Sequence, residues 1–275
     1  MLSSTTQARL AGLYRYPVKS TAGQALERAR VTEEGLAGDR RYMLARPDGT
    51  FITARSHPQL QRVVALPVDG GLALSAPGLA AMEAREADFA ATAFATGVWG
   101  DDFAALTTTE RLDDWFGEVL GEPARLLWLG PRSPRYRSEI DRRVSFADGY
   151  PLMLISQASL DELNTRMDTT QRMAQFRPNL VVEGTAPYAE DGWKRIRIGE
   201  LEFAVDKPCS RCKMVTVDPA LGEFMPRGEP LRTLAGYRRG ARGKIYFGQN
   251  LIALNEGELT LDAPLEVLET RPAAL

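Results

Sequence analysis

The chain has little sulfur and almost no imidazole. Its 275 residues include two cysteines, Cys209 and Cys212, and one histidine, His57. Two cysteines are too few for a disulfide framework, which points to a reducing, cytoplasmic setting. One histidine excludes the two-histidine zinc motif and every multi-histidine metal site. A serine or cysteine nucleophile with an imidazole base would have to use His57. That residue stands in "RSHPQL", just before a proline, and reads as a surface or structural histidine.

Other absences narrow the field further. No apolar run approaches the roughly 20 residues that span a bilayer. The N-terminal "MLSSTTQARLAGLYRYPVKS" lacks the apolar centre of a secretory signal. The formal net charge of -2 gives no overall pull toward nucleic acid or an anionic membrane. "GYRRGARGKIYFG" is rich in glycine and cations, but it has neither the spacing nor the hydroxyl of a phosphate-binding P-loop. Carboxylates are plentiful but scattered, so no glycosidase pair stands out.

What is present is a pattern of short strands. The first third alternates apolar and polar residues between glycine, proline and Asp-Gly breaks. "PDGT" (Pro47 to Thr50) has the character of a hairpin turn. "TERLDDWFGEVLG" predicts a helix with Leu112, Trp115, Phe116, Val119 and Leu120 on one face, stopped by Gly121 and Pro123. A stretch with Arg132, Arg135, Arg137, Arg142 and Arg143 follows. It reads as a solvated, mobile loop; the sharper alternative is a docking lip for an acidic partner. "YPLMLIS" and "FRPNLVVEG" are strand-like. "SQASLDELNTRM" predicts a helix with Ser156 and Ser159 as candidate caps, Ser159 and Glu162 having capping-box spacing. "KRIRIGELEFAVDKPCSRC" turns at Gly199-Glu200 and leads straight into the cysteines. Many short strands with few helices predict a β-barrel-rich α+β protein. A seam near residues 122–130 divides it into domains at 1–125 and 126–275.

The segment "DKPCSRCKMVTVDP" (Asp206 to Pro219) holds both thiols. A thioredoxin-type pair opens a helix in a βαβ unit, whereas this pair follows a hairpin strand. An all-cysteine zinc site lacks its second pair. What remains is a thiol among Lys207, Arg211 and Lys213, cations that favour the thiolate. A thiolate is a soft ligand suited to transition metals, although a buried structural cysteine fits the local pattern as well.

Five motifs then occur in order: "YPVKS", "GDRRYML", "FRPNLVV", "CSRCKMVTVDP" and "FGQNLIAL". In these the chain resembles proteins with a MOSC N-terminal β-barrel domain followed by a MOSC domain. That group includes the mitochondrial amidoxime-reducing component and its bacterial counterparts. The resemblance implies a MOSC-type barrel preceded by a smaller β-rich domain. It also implies a molybdenum cofactor (Mo-molybdopterin) and the reduction of N-hydroxylated compounds: amidoximes, hydroxylamines and N-hydroxylated bases. By the same resemblance Cys212 is the metal ligand and catalytic centre, and Cys209 has no assigned task. Lys19, Ser20, Arg40, Asp148, Gly149, Arg177, Ser210, Arg211 and Asn250 fall at cofactor-binding positions. Asn250 departs from the tyrosine of the animal proteins.

The chemistry agrees with those positions, since a terminal phosphate needs cations and hydroxyl donors, and arginine offers a two-pronged fork. Arg55 is a further candidate for holding an anion. Some bacterial relatives continue into a plant-type ferredoxin domain, which needs further cysteines. None follows Cys212. The expected partner is therefore a separate electron donor of ferredoxin, flavodoxin or cytochrome type. The alternatives are a sulfur carrier or transferase using a Cys212 persulfide, and a non-enzymatic carrier of the molybdenum cofactor.

Overall fold

The computed structural model describes residues 7–273. Its largest element is an eight-stranded, half-barrel sheet. The strand order is Gln24–Ala25, Arg9–Arg15, Leu180–Glu183, Leu152–Ser156, Ile245–Ala253, Leu201–Arg211, Trp193–Ile198 and Leu265–Thr270. Leu152–Ser156 is buried along its whole length, which explains why "YPLMLIS" shows no alternation. It pairs parallel with Leu180–Glu183 and antiparallel with Ile245–Ala253. Leu10, Leu154, Val182, Ile196, Phe203 and Leu251 meet in the core against this sheet.

A second sheet joins Tyr42–Ala45, Arg125–Trp128, Asp101–Thr107 and Ala93–Val98. The expected helix spans Glu110–Leu120 and shares a core with that sheet through Leu112, Trp115, Phe116 and Leu120. Thr109 caps its start by accepting from the Leu112 amide. Gly121, at φ 72°, ends it in the left-handed region that glycine tolerates best. The turn at Pro47–Thr50 and the hairpin at Gly199-Glu200 both form, the latter with Ile198 opposite Leu201.

Two local expectations are corrected, the second in part. The helix Gln157–Thr165 is capped by Ser156, and Ser159 is not the cap of a box with Glu162. The Ser159 hydroxyl instead donates to Glu190 at 2.8 Å, while Glu162 accepts from Arg166. The arginine-rich stretch is a short hairpin, exposed at Arg132 and at its tip as expected of a loop but anchored in the fold by Arg135. Tyr136–Arg137 pairs with Arg142–Arg143, and Arg135 is 2% exposed. Arg135 Nε donates to Asp101 at 2.8 Å, and its two terminal nitrogens each donate to a carbonyl at 3.1 Å, on Ser145 and Asp148. A buried guanidinium requires such partners, so this arginine is not available to an outside one.

The two halves of the chain are interleaved. Arg9–Arg15 pairs with Leu180–Glu183, and Arg28–Thr32 with Gly257–Thr260. Arg125–Trp128, lying on the expected seam, pairs back onto Tyr42–Ala45. This crossing brings residues far apart in sequence to one cleft.

Candidate functional site

The strand Leu201–Arg211 sets up the site. Its ladder with Ile245–Ala253 slips between Val205 and Lys207 and again between Pro208 and Ser210. Such irregularities re-aim side chains, and Pro208 is tolerated there because a ladder hydrogen bond is already lost. Cys209, Ser210, Arg211 and Cys212 consequently all face a cleft of about 590 Å³. The first half of the chain contributes Lys19, Ser20, Arg40, Arg55 and Trp99 to its walls. The second half adds Asp148, Gly149, Arg177 and Asn250. Every residue singled out through the resemblance thus lies on this one cleft.

Its basic end is built around Tyr16, which is 1% exposed and donates from its hydroxyl to the Pro178 carbonyl at 2.9 Å. The guanidinium carbons of Arg40 and Arg177 lie 4.3 and 4.2 Å from the Tyr16 ring centre. Arg40 is held by Asp39 at 2.6 Å and by the Asn179 side chain at 3.1 Å. Arg177 donates one arm to the Thr21 carbonyl, while its Nη2 is buried without a partner. Burial lowers the Arg177 pKa to about 10, with Tyr16 opposing and Arg40 adding to the shift. It remains a cation at neutral pH.

Ser20 Oγ and Arg211 Nε are likewise buried without hydrogen-bond partners. Buried donors left unpaired are costly, and these three converge on one cleft, whereas others such as Gln61 Nε2 and Arg195 Nε are scattered elsewhere. Ser20, Arg40 and Arg177 also hold positive φ angles of 74°, 46° and 57°. Such conformations cost about 1–3 kcal/mol each for non-glycine residues and concentrate at functional sites.

Lys19, on the same cleft, is 5% exposed and donates to the Phe146 carbonyl at 2.7 Å and to Asp148 at 2.5 Å. Burial lowers its pKa to about 8, although Asp148 pulls the other way. Burial would raise the Asp148 carboxyl, but Lys19 and Arg55, with hydrogen bonds from Lys19 and Trp99, hold it well below the usual range. Arg55 donates Nε–H to Cys212 Sγ at 3.3 Å and Nη2–H to Asp148 at 2.7 Å. Its guanidinium carbon stands 4.5 Å from the centre of the Trp99 ring, whose N–H donates to Asp148 at 3.0 Å.

The two thiols have different neighbours. Cys209 is met by Arg211 Nη1 at 3.2 Å, and Arg211 also donates to the Phe176 carbonyl at 2.7 Å. Lys207 and Lys213, expected to sit by the thiols, lie against the Tyr150 and Phe224 rings. The guanidinium hydrogen-bonded to Cys212 is therefore Arg55, 157 positions away in the chain. Asn250 donates to the Pro208 carbonyl at 3.4 Å, across the strand pair. His57 pairs its Nδ1 with Ser56 at 2.9 Å and does not line the cleft.

Trp99, Tyr16, Asp39 and Asn179 were not picked out from sequence. Tyr16, Asp39 and Asn179 lie inside the motifs "YPVKS", "GDRRYML" and "FRPNLVV" beside the residues that were chosen, and Trp99 carried a separate signal, since a tryptophan between turn residues in "GVWGDD" is badly placed for a core. Among the described residues no group of three or more His, Cys, Asp or Glu could cage a metal. The donor set, one thiol beside cations and unpaired donors, fits a metal that brings most of its ligands on an anionic carrier.

These features define a class: a β-rich, two-domain protein whose interleaved halves enclose a thiol-bearing, cationic cleft. The chain belongs to the MOSC-domain proteins. Residues 7–123 match the MOSC N-terminal beta barrel domain, and residues 141–266 match the MOSC domain. It is 32% identical to human mitochondrial amidoxime-reducing component 1, over 94% of this chain and 82% of that one. It is 33% identical to bovine mitochondrial amidoxime reducing component 2, over 82% of this chain and 71% of that one. A rice molybdenum cofactor sulfurase is 32% identical over 93% of this chain. The chain spans 34% of that sulfurase's length.

Proposed function

We propose that this protein is a molybdenum-cofactor-dependent oxidoreductase that reduces N-hydroxylated compounds with electrons from a separate redox partner. The observation that carries this reading is the set of buried, unpaired donors on Ser20, Arg177 and Arg211, in the cleft that holds Cys212. An anionic, metal-bearing cofactor would complete them. Amidoxime-reducing components as relatives favour the reductase over other uses of such a cofactor.

On this reading Arg40, Arg177, Ser20 and Lys19 receive the cofactor's phosphate, and Cys212 supplies the protein thiolate. Ser210, Arg211, Gly149 and Asn250 line the path between them. When bound, the molybdenum supplies two-electron chemistry at an N–O bond. The chain's own part is to bind, orient and hold charge. Asp148 keeps Lys19 protonated beside Arg55, and the cations offset the anionic charge of the ligand. Trp99, 54% exposed, stands at the cleft as an aromatic wall for an incoming planar substrate.

Cys212→Ala should leave less than a tenth of the wild-type molybdenum, measured by metal analysis of purified protein. Cys209→Ala should retain most of it. Equal retention in both variants would remove Cys212 from the metal. The sulfurase relatives support a second reading, in which Cys212 carries persulfide sulfur. A stable persulfide in protein that binds no molybdenum, seen by mass spectrometry, would favour that reading.

A further inference from the structure

Arg55 first suggested itself as a holder of anions, yet its contacts are of another kind. Its Nε–H is directed to Cys212 Sγ at 3.3 Å, and one terminal nitrogen to Asp148 at 2.7 Å. Its planar group also rests on the Trp99 ring at 4.5 Å. Each contact restricts a different freedom. The carboxylate fixes the fork within its plane, and the indole fixes the orientation of that plane. The indole is in turn tied to the same carboxylate by its own N–H at 3.0 Å, and Phe51 packs edge-on at 5.1 Å. Lys19 anchors Asp148 from the protein side at 2.5 Å. At 20% exposure, the Arg55 side chain is held in a setting where a hydrogen bond to sulfur is not lost to water.

From this we infer that Arg55 is the positioning residue of the metal-binding sulfur, clamped for that purpose by Asp148 and Trp99. The inference rests on the reading of Cys212 as the molybdenum ligand. A hydrogen bond to a ligating thiolate withdraws charge from sulfur, and so favours the more electron-rich, reduced metal. It also holds the sulfur in one orientation. Lysine keeps the charge but has neither the fork nor the flat face, so Arg55→Lys should not substitute.

The test uses the molybdenum-loaded protein and spectroscopy, with turnover set aside. Arg55→Gln and Arg55→Lys should both move the molybdenum midpoint potential to more negative values and alter the Mo(V) electron paramagnetic resonance signal. Trp99→Ala, which leaves the guanidinium in place but removes one side of its clamp, should shift both in the same direction by less. If Arg55→Gln does not load metal, Trp99→Ala carries the test. Potentials and spectra identical to wild type in every loaded variant would overturn the inference. So would full restoration by lysine, since charge alone would then suffice. Failure of the underlying reading looks different: Cys212→Ala would keep its molybdenum, whatever the Arg55 variants do.

Discussion

Lys19 shows how one side chain can carry opposing demands. Burial depresses its pKa to about 8, below the ordinary value of 10.5, because the charged form has lost water and Asp148 replaces only part of it. Between those two values the unfolded chain binds more protons than the folded one. The penalty this group places on folding therefore shrinks as pH rises through the window. Anion binding follows the opposite course, since it needs the protonated amine. Sulfate, whose charge is constant across this range, should bind the metal-free protein up to about tenfold more weakly for each pH unit above 8. Titration calorimetry would measure this, and Lys19→Met should flatten the profile. A profile unchanged in Lys19→Met would place the titrating group elsewhere. The motif "YPVKS" made Lys19 and Ser20 legible as candidates. Their burial was not legible, since Lys19 is met by Phe146 and Asp148 from the other half of the chain. Nor was the positive φ of Ser20.

Elements divide according to how local their causes are. The helix Glu110–Leu120 could be read residue by residue, since its cap, its apolar stripe and its terminating glycine all lie within one short segment. The slips in the strand Leu201–Arg211 could not, because a bulge exists only relative to the opposing strand. That partner contains Gly248 at φ 81°, where an added Cβ would stand 2.6 Å from an Ile155 side-chain carbon and 2.8 Å from the Leu154 carbonyl oxygen. Gly248→Ala should therefore cost about 1–3 kcal/mol from overpacking. Strain at the positive φ adds to that. The expected result is a lower midpoint in chemical denaturation; an unchanged midpoint would mean that the strand pair adjusts freely. The glycine of "FGQNL" is thus required by close packing, two residues before Asn250 reaches the cleft.

At the scale of the whole molecule, the two halves depend on each other. Removing residues 1–125 would strip Arg9–Arg15 from beside Leu180–Glu183 and Arg28–Thr32 from beside Gly257–Thr260. Leu10, Leu13, Val31 and Leu36 would leave the principal core with them. A fragment of residues 126–275 should accordingly show no cooperative thermal transition by circular dichroism, while the full chain shows one. A sharp transition in the fragment would show that the second half supports itself. The arginine-rich stretch is partly committed to the fold, with Arg132 left exposed. Arg135 is buried, Arg137 is drawn toward Asp101 at 3.5 Å, and Arg143 donates to the Ser133 carbonyl at 2.9 Å. Among the described residues no helix is long and apolar enough to cross a membrane.

The sequence by itself determined the strand-rich character, the best-capped helix, the scarcity of metal-binding side chains and the short motifs that mark the cleft. Those properties are set by composition, by periodicity and by residues within a few positions of one another. Only the tertiary structure decided which cation meets which thiol. Lys207 and Lys213 are neighbours of the cysteines in sequence, yet they pack on aromatic rings, while Arg55 reaches Cys212 from the other half of the chain. Side chains on an extended strand point where pleat and bulge send them, and the partner that meets them there is chosen by sheet pairing over long separations.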